Sequence, residues 1–231
     1  MKIISNTKLI KRNKRIGQVL TFVAMAVLIG GLALSINGNP ENITYSYLAL
    51  ILGFMASQFG IHFTNRFGRS PRPDEKLSAE LKGLDDRYSL YHYATAVSHL
   101  IVGPSGVWVI MPFHQQGTIT FEKGKYKQKG GSLYLKIFAQ EGLGRPDKDT
   151  QYACDDMQKF LSKHMDADSI PTVNALTVFT NPKTEVKAPD APYPTMAAEK
   201  MKDFLRKKAK DNAFPPESAD KVNAALIPNQ K

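Results

Sequence analysis

Two uncharged apolar stretches near the start of the chain limit what it can become. Ile16 to Ile36 runs IGQVLTFVAMAVLIGGLALSI, and Tyr45 to Phe63 runs YSYLALILGFMASQFGIHF. As α-helices at about 1.5 Å per residue, each spans roughly 30 Å, the thickness of a bilayer's hydrocarbon core. Tyr45, Tyr47 and His62 stand at the ends of the second stretch, where amphipathic groups favour the membrane interface. A cleaved signal peptide fits the basic start of the chain. It does not fit the length of the first apolar run, and no small-x-small cleavage site follows. The sequence therefore predicts a transmembrane hairpin: helix one over 16–36, an external loop over 37–44 and helix two over 45–63.

The charges around the hairpin predict its orientation. A basic arm over 1–15 carries Lys2, Lys8, Lys11, Arg12, Lys14 and Arg15 and no acid, and the linker over 64–73 carries Arg66, Arg69 and Arg72. The loop between the helices has no Lys or Arg. Positive residues stay inside, so both termini and everything after the hairpin are expected in the cytoplasm, in a multi-pass protein of the inner cell membrane. Lys11, Arg12, Lys14, Arg15, Arg66, Arg69 and Arg72 are the expected contacts with anionic lipid or nucleic acid. The net charge of +10 comes largely from these flanks. The rest is mildly basic, which makes nucleic acid the weaker of the two partners.

Small residues recur on the apolar helices. Ala49, Gly53, Ala56 and Gly60 share one side of the second, and Ala26 and Gly30 have the same four-residue spacing in the first. Such positions let backbones approach closely in lipid. They predict packing of the two helices on each other, or on a membrane-protein partner or a second copy.

The chain after the hairpin is long enough for one core. Leu77, Leu81 and Leu84 predict a short helix from about Asp74. Tyr88–Tyr93 is strand-like, and Ser98–Val102 and Val107–Met111 flank the turn Gly103-Pro104-Ser105-Gly106 as a β-hairpin. Gly117–Phe121 and Leu133–Ile137 read as further strands, with turn and edge material between them. Asp147–His164 has helical periodicity, Val173–Thr180 reads as a buried strand and Met196–Ala209 as a last helix. The expectation is an α/β (α+β) domain over 74–210, a mixed sheet flanked by helices, and a loose Pro- and Asn-containing tail over 211–231. The lysine-rich last helix (Lys200, Lys202, Lys207, Lys208, Lys210) reads as a solvated face or a lipid-facing one.

The run Val97–Ile119, VSHLIVGPSGVWVIMPFHQQGTI, resembles the nuclease-related domain known as NERD. Val102-Gly103-Pro104, Gly106-Val107 and Gly117 fit the family's hairpin. Glu75 fits its acidic helix, and Arg145-Pro146 with Gln151 fits the start of its next helix. The resemblance covers about Asp74 to Thr180. It implies a restriction-endonuclease-like, PD-(D/E)xK-type fold, in which an Asp and a Glu on adjacent strands hold a divalent metal and a Lys positions the attacking water. Here Ser98 stands where that Asp is expected, Met111 where the Glu is and Phe113 where the Lys is. A thioether and a phenyl ring cannot replace hard oxygen ligands and an ammonium. The resemblance thus implies a retained scaffold without its metal site: a pseudoenzyme with no cofactor.

No other catalytic motif is present. His99, His114, Glu122 and the Asp155-Asp156 pair read as structural or solvated groups. Cys154 is the sole cysteine, which excludes an intramolecular disulfide and a Cys-based zinc site. Two function classes follow. One is a non-catalytic, membrane-anchored interaction or accessory protein, a subunit of a larger membrane complex. The other is a membrane-tethered nuclease or nucleic-acid-binding protein. Transport by the spans themselves is disfavoured, because they hold no acid or base beyond His62 at the edge.

Overall fold

A computed structural model describes residues 1–36, 39–131 and 142–226. The chain divides into two units: Met1–Asn6 with Pro73–Lys231, and Thr7–Arg72. The apolar hairpin is therefore an insertion between the first strand and the first helix of a single α/β domain.

In the hairpin unit, α1 (Thr7–Ile36) and α2 (Pro40–Phe63) are antiparallel. Asn39 caps α2 by accepting the Glu41 amide, with Pro40 in the first turn. Both helices are long and apolar enough to cross a membrane. Their buried residues recur every seven positions: Ile10, Gly17, Ala24 and Gly31 on α1, and Ser46, Gly53 and Gly60 on α2. A seven-residue repeat keeps one narrow seam facing its partner along two slightly supercoiled helices. Of the twenty exposed large apolar side chains among the described residues, only Ile3 and Tyr152 lie off these two helices.

The α/β unit is built on a six-stranded mixed sheet ordered β1-β2-β3-β4-β7-β9. Its strands are β1 (Lys2–Ser5), β2 (Ser89–His92), β3 (His99–Gly103), β4 (Gly106–Phe113), β7 (Val173–Phe179) and β9 (Thr195–Ala197). The meander β2-β3-β4 is antiparallel, whereas β1 runs parallel to β2, and β7 parallel to both β4 and β9. A three-stranded sheet ordered β6-β5-β8 uses β5 (Gly117–Glu122), β6 (Lys125–Lys129) and β8 (Thr184–Lys187).

The six-stranded sheet is covered on both faces, which explains its near-continuous apolar strands. On one face Leu100, Val102, Val107, Val109, Val173 and Ala175 meet α4 (Pro146–His164) and α6 (Pro216–Leu226) through Met157, Leu161, Val222 and Leu226. On the other, Leu90, Ile101, Trp108, Ile110, Leu176 and Val178 meet α3 (Pro73–Glu80) and α5 (Met201–Asp211) through Leu77, Met201 and Leu205. The β3–β4 turn needs its glycines: Gly106 has φ +105°, and a Cβ on Gly103 would collide with the Tyr88 ring.

Several expectations are corrected. The basic arm over 1–15 is divided between two elements: Lys2–Ser5 form β1, and Lys11, Arg12, Lys14 and Arg15 stand on the first turns of α1. The tail over 211–231 is not loose as a whole, because α6 buries Ala219, Val222 and Leu226 at helical spacing against the sheet. The expected last helix over 196–209 begins with a strand, since Met196 pairs with Val178 at the sheet edge. The expected strand Leu133–Ile137 lies outside the described residues.

Candidate functional site

The hairpin β3–β4 carries the three positions singled out by the family resemblance. Ser98 precedes β3 by one residue, and its carbonyl accepts the Tyr93 amide at 2.7 Å. Leu100 pairs with Val109, so Ser98 and Met111, each two residues further along, fall on the same face of the ladder. That face is the one covered by α4 and α6. Met111 is half-buried against that cluster and pairs with Thr177 on β7. Phe113 continues the alternation but packs on Phe179, with ring centroids 5.6 Å apart, in a separate cluster with Ile119 and Tyr126.

Met111 and its strand neighbours are bordered by hydroxyl groups. Thr150 of α4 and Thr177 are fully buried and share a hydrogen bond at 3.1 Å. Tyr126 Oη meets Thr195 Oγ1 at 2.5 Å, and burial pushes the Tyr126 phenol up. At the N-terminus of α4, Arg145 donates to both oxygens of Asp147 at 3.1 and 2.8 Å. Its guanidinium holds that carboxyl below the usual range. A hydroxyl, a thioether and a phenyl ring at 98, 111 and 113 supply no pair of hard oxygen ligands. Among the described residues no group of three His, Cys, Asp or Glu is arranged to hold a metal ion.

The other candidates are dispersed. Asp155 and Asp156 are exposed on α4. Cys154 Sγ donates to the Val173 carbonyl at 3.2 Å, and burial pushes its thiol up, away from reactivity. Glu122 pairs with Lys127 at 2.9 Å on the three-stranded sheet, remote in register from Ser98. The His114 carbonyl accepts from Asn181.

The sequence reading overlooked one cluster. His92 and His99 are each 1 % exposed and directly paired across β2 and β3 on the α3 face. Their Nδ1 atoms are 2.9 Å apart, and His92 Nε2 is 2.9 Å from Ser78 Oγ of α3. One Nδ1 must carry the proton and the other must lack it. Tyr93, at φ 55°, closes the β2–β3 connection and sets its ring edge-on to His99 at 4.9 Å. The available signal was two histidines on consecutive strand-like runs; the register that aligns them comes from the structure.

On the helices, Gly53 and Gly60 line the α1–α2 seam, and Ala49 borders it. A Cβ on Gly53 would come within 2.7 Å of Leu28, and one on Gly60 within 2.8 Å of Thr21. Ala49 lies 2.9 Å from a Cβ placed on Gly31, and Ala56 is half-buried. Ala26 and Gly30 do not take part in packing between α1 and α2: both are exposed, and nothing lies within 4 Å of a Cβ on Gly30. Gly17, Ala24 and Gly31 take the seam positions on α1. Arg66 lies over the Phe67 ring at 5.7 Å, Arg69 is exposed and Arg72 half-buried.

Comparison of the chain with protein-family models, curated proteins and solved structures found no match.

Proposed function

We propose that this chain is a membrane-anchored, non-catalytic interaction protein, with a nuclease-like scaffold held on the cytoplasmic side of the membrane as part of a larger assembly. The observation that carries the anchor is the concentration of exposed large apolar side chains on α1 and α2. In water such a surface would aggregate, whereas in lipid it is ordinary. That β1 belongs to the same domain as β2 supports a hairpin whose two ends emerge on one side, and so an even number of crossings. The lysine and arginine flanks then favour the cytoplasm.

The non-catalytic reading is supported by the chemistry at Ser98, Met111 and Phe113. A mixed sheet with helices on both faces supports the endonuclease-like reading that the NERD resemblance implies. Met111 packs against the apolar cluster between the sheet and the helices α4 and α6, an environment that supports a packing role over a ligand role. Ala26 and Gly30 leave an open face on α1 where a partner helix or a second copy could approach.

Two measurements test this. Thiol labelling of single cysteines introduced at Asn42 and Asp190, in a Cys154→Ser background in intact cells, should modify the first and spare the second. Full-length protein incubated with single- and double-stranded DNA and RNA in Mg²⁺ or Mn²⁺ should leave them intact. Cleavage that tracks with the purified protein would falsify the non-catalytic reading in favour of a tethered nuclease.

A further inference from the structure

We propose that the outer face of the β6-β5-β8 sheet is a lysine surface that rests on anionic lipid headgroups. The inference depends on the chain being membrane-anchored and adds a second, peripheral contact to that anchor.

The inner face of this sheet is occupied. Ile119 and Tyr126 are buried with Phe179, and Phe121 and Val186 pack against them. Register then dictates the outer face. Thr118 pairs with Lys129, Thr120 with Lys127 and Glu122 with Lys125, and Thr118 and Thr120 pair with Glu185 and Lys187 on β8. Lys125, Lys127 and Lys129 alternate along the edge strand, so their Cα atoms repeat about every 6.8 Å on one side. Lys123 adds a charge at the β5–β6 turn, where it and Gly124 have φ 51° and 72°, and Lys183 adds one just before β8.

Residues 117–131 and 183–187 contain six lysines, two glutamates and no arginine. The ion pairs do not consume this surplus. Glu122 serves both Lys127 and Lys129, at 2.9 and 3.9 Å, and Glu185 serves Lys187 at 2.7 Å. Lysines on an edge strand also block edge-to-edge pairing. That role does not account for Lys123 and Lys183, which lie in the connections outside the edge strands β6 and β8.

The residue types select the partner. Nucleic-acid surfaces combine basic residues with arginine forks and exposed aromatic rings for stacking. This face has neither, since its aromatic side chains Phe121 and Tyr126 point inward. Flexible ammonium groups spread over a sheet suit a diffuse layer of headgroup charge, where each lysine near the surface adds to the attraction. A face on an anchored domain needs little intrinsic affinity, because tethering supplies the local concentration. By contrast, α5 mixes its lysines with Asp203 and Asp211, and Lys202 and Arg206 donate to the carbonyls of Lys82 and Gly83.

The test uses the full chain in nanodiscs of phosphatidylcholine alone or with phosphatidylglycerol, read by amide hydrogen exchange of residues 117–129 and 183–187. Phosphatidylglycerol should slow exchange there several-fold. High salt, or the triple variant K125E/K127E/K129E, should abolish the slowing while exchange on β3 and β4 stays unchanged. Protein that enters both nanodiscs and shows no lipid-dependent difference overturns the lysine-face proposal and leaves the anchor intact. Protein that enters neither overturns both. Slowing in phosphatidylcholine nanodiscs on addition of a single-stranded oligonucleotide, but none with phosphatidylglycerol, would make this a nucleic-acid face and overturn the proposal.

Discussion

Ser46 on α2 donates its hydroxyl hydrogen to the Gly31 carbonyl of α1 at 2.7 Å, in a seam where Ser46 is buried and a Cβ on Gly31 would meet Ala49. Interhelical hydrogen bonds between apolar helices in lipid contribute about 0.6 kcal/mol. Ser46→Ala should therefore shift the thermal midpoint in detergent only slightly.

Bulk in the seam should matter more. A side chain at Gly53 would drive into Leu28, and overpacking of this kind costs roughly 1–3 kcal/mol. Gly53→Leu should lower the midpoint clearly, and Gly31→Leu should do the same. Gly30→Ala should be neutral or mildly stabilising, because its Cβ meets open space and alanine is the better helix former by about 1 kcal/mol. Equal sensitivity at Gly30 and Gly31 would contradict the seven-residue seam.

That contrast shows what the sequence could and could not disclose. Small-residue spacing of four pointed to Ala26 and Gly30, yet the hairpin uses positions seven apart, and both spacings coexist in one glycine-rich helix. Gly30 and Gly31 differ only in which side of the helix they occupy. The meander and α4 were legible because apolar alternation and helical periodicity are local signals. The strand β1 was not, because KIIS acquires meaning only from Ser89–His92, far along the chain. In α6, Ala219, Val222 and Leu226 carried a helical pattern that the surrounding prolines and asparagines obscured. At the candidate site, the substitutions at 98, 111 and 113 were visible as residue types. The His92–His99 contact depends on cross-strand register, which a single sequence does not specify.

The histidine pair makes a second stability prediction. His99→Phe removes the 2.9 Å bond at a position that is 1 % exposed and should cost about 1–3 kcal/mol in chemical denaturation of the full chain. His92→Phe should also lose the contact with Ser78. Because the two residues share one hydrogen bond, the double variant should lose less than the sum of the singles. Strict additivity would mean that the pair is not coupled.

Acid should weaken the start of α4. Asp147 is held below its ordinary range first by the side-chain hydrogen bonds from Arg145. A carboxyl with a lowered folded-state pKa stabilises the protein above its unfolded value of about 3.9, and the contribution fades as pH falls through the folded value. Arg145 is about half exposed, so solvent screening keeps the contribution of the pair small. Arg145→Gln should reduce stability slightly at neutral pH and flatten its acid dependence below about pH 4. An unchanged acid limb would assign that dependence to other groups.

The N-terminal strand yields the most specific expectation. Lys2 and Asn6 donate their amides to the Tyr88 and His92 carbonyls at 2.8 and 3.0 Å. In a parallel ladder the intervening donor on that side is Ile4. Proline is tolerated on an edge strand when its missing N–H would face solvent. The Ile4 N–H faces β2 instead, and its side chain packs on the α4–α6 core cluster. Ile4→Pro should therefore detach β1 and cost at least a hydrogen bond, about 1 kcal/mol, together with that packing. The amides of Leu90 and His92, which alternate toward β1, should then exchange faster. Those of Ser89 and Tyr91, which face β3, should keep their protection, as should the whole of β4. If Leu90 and His92 exchanged no faster in the variant, β1 would not be the partner of β2 in solution, and the inference that both ends of the hairpin emerge on one side would lose its structural support.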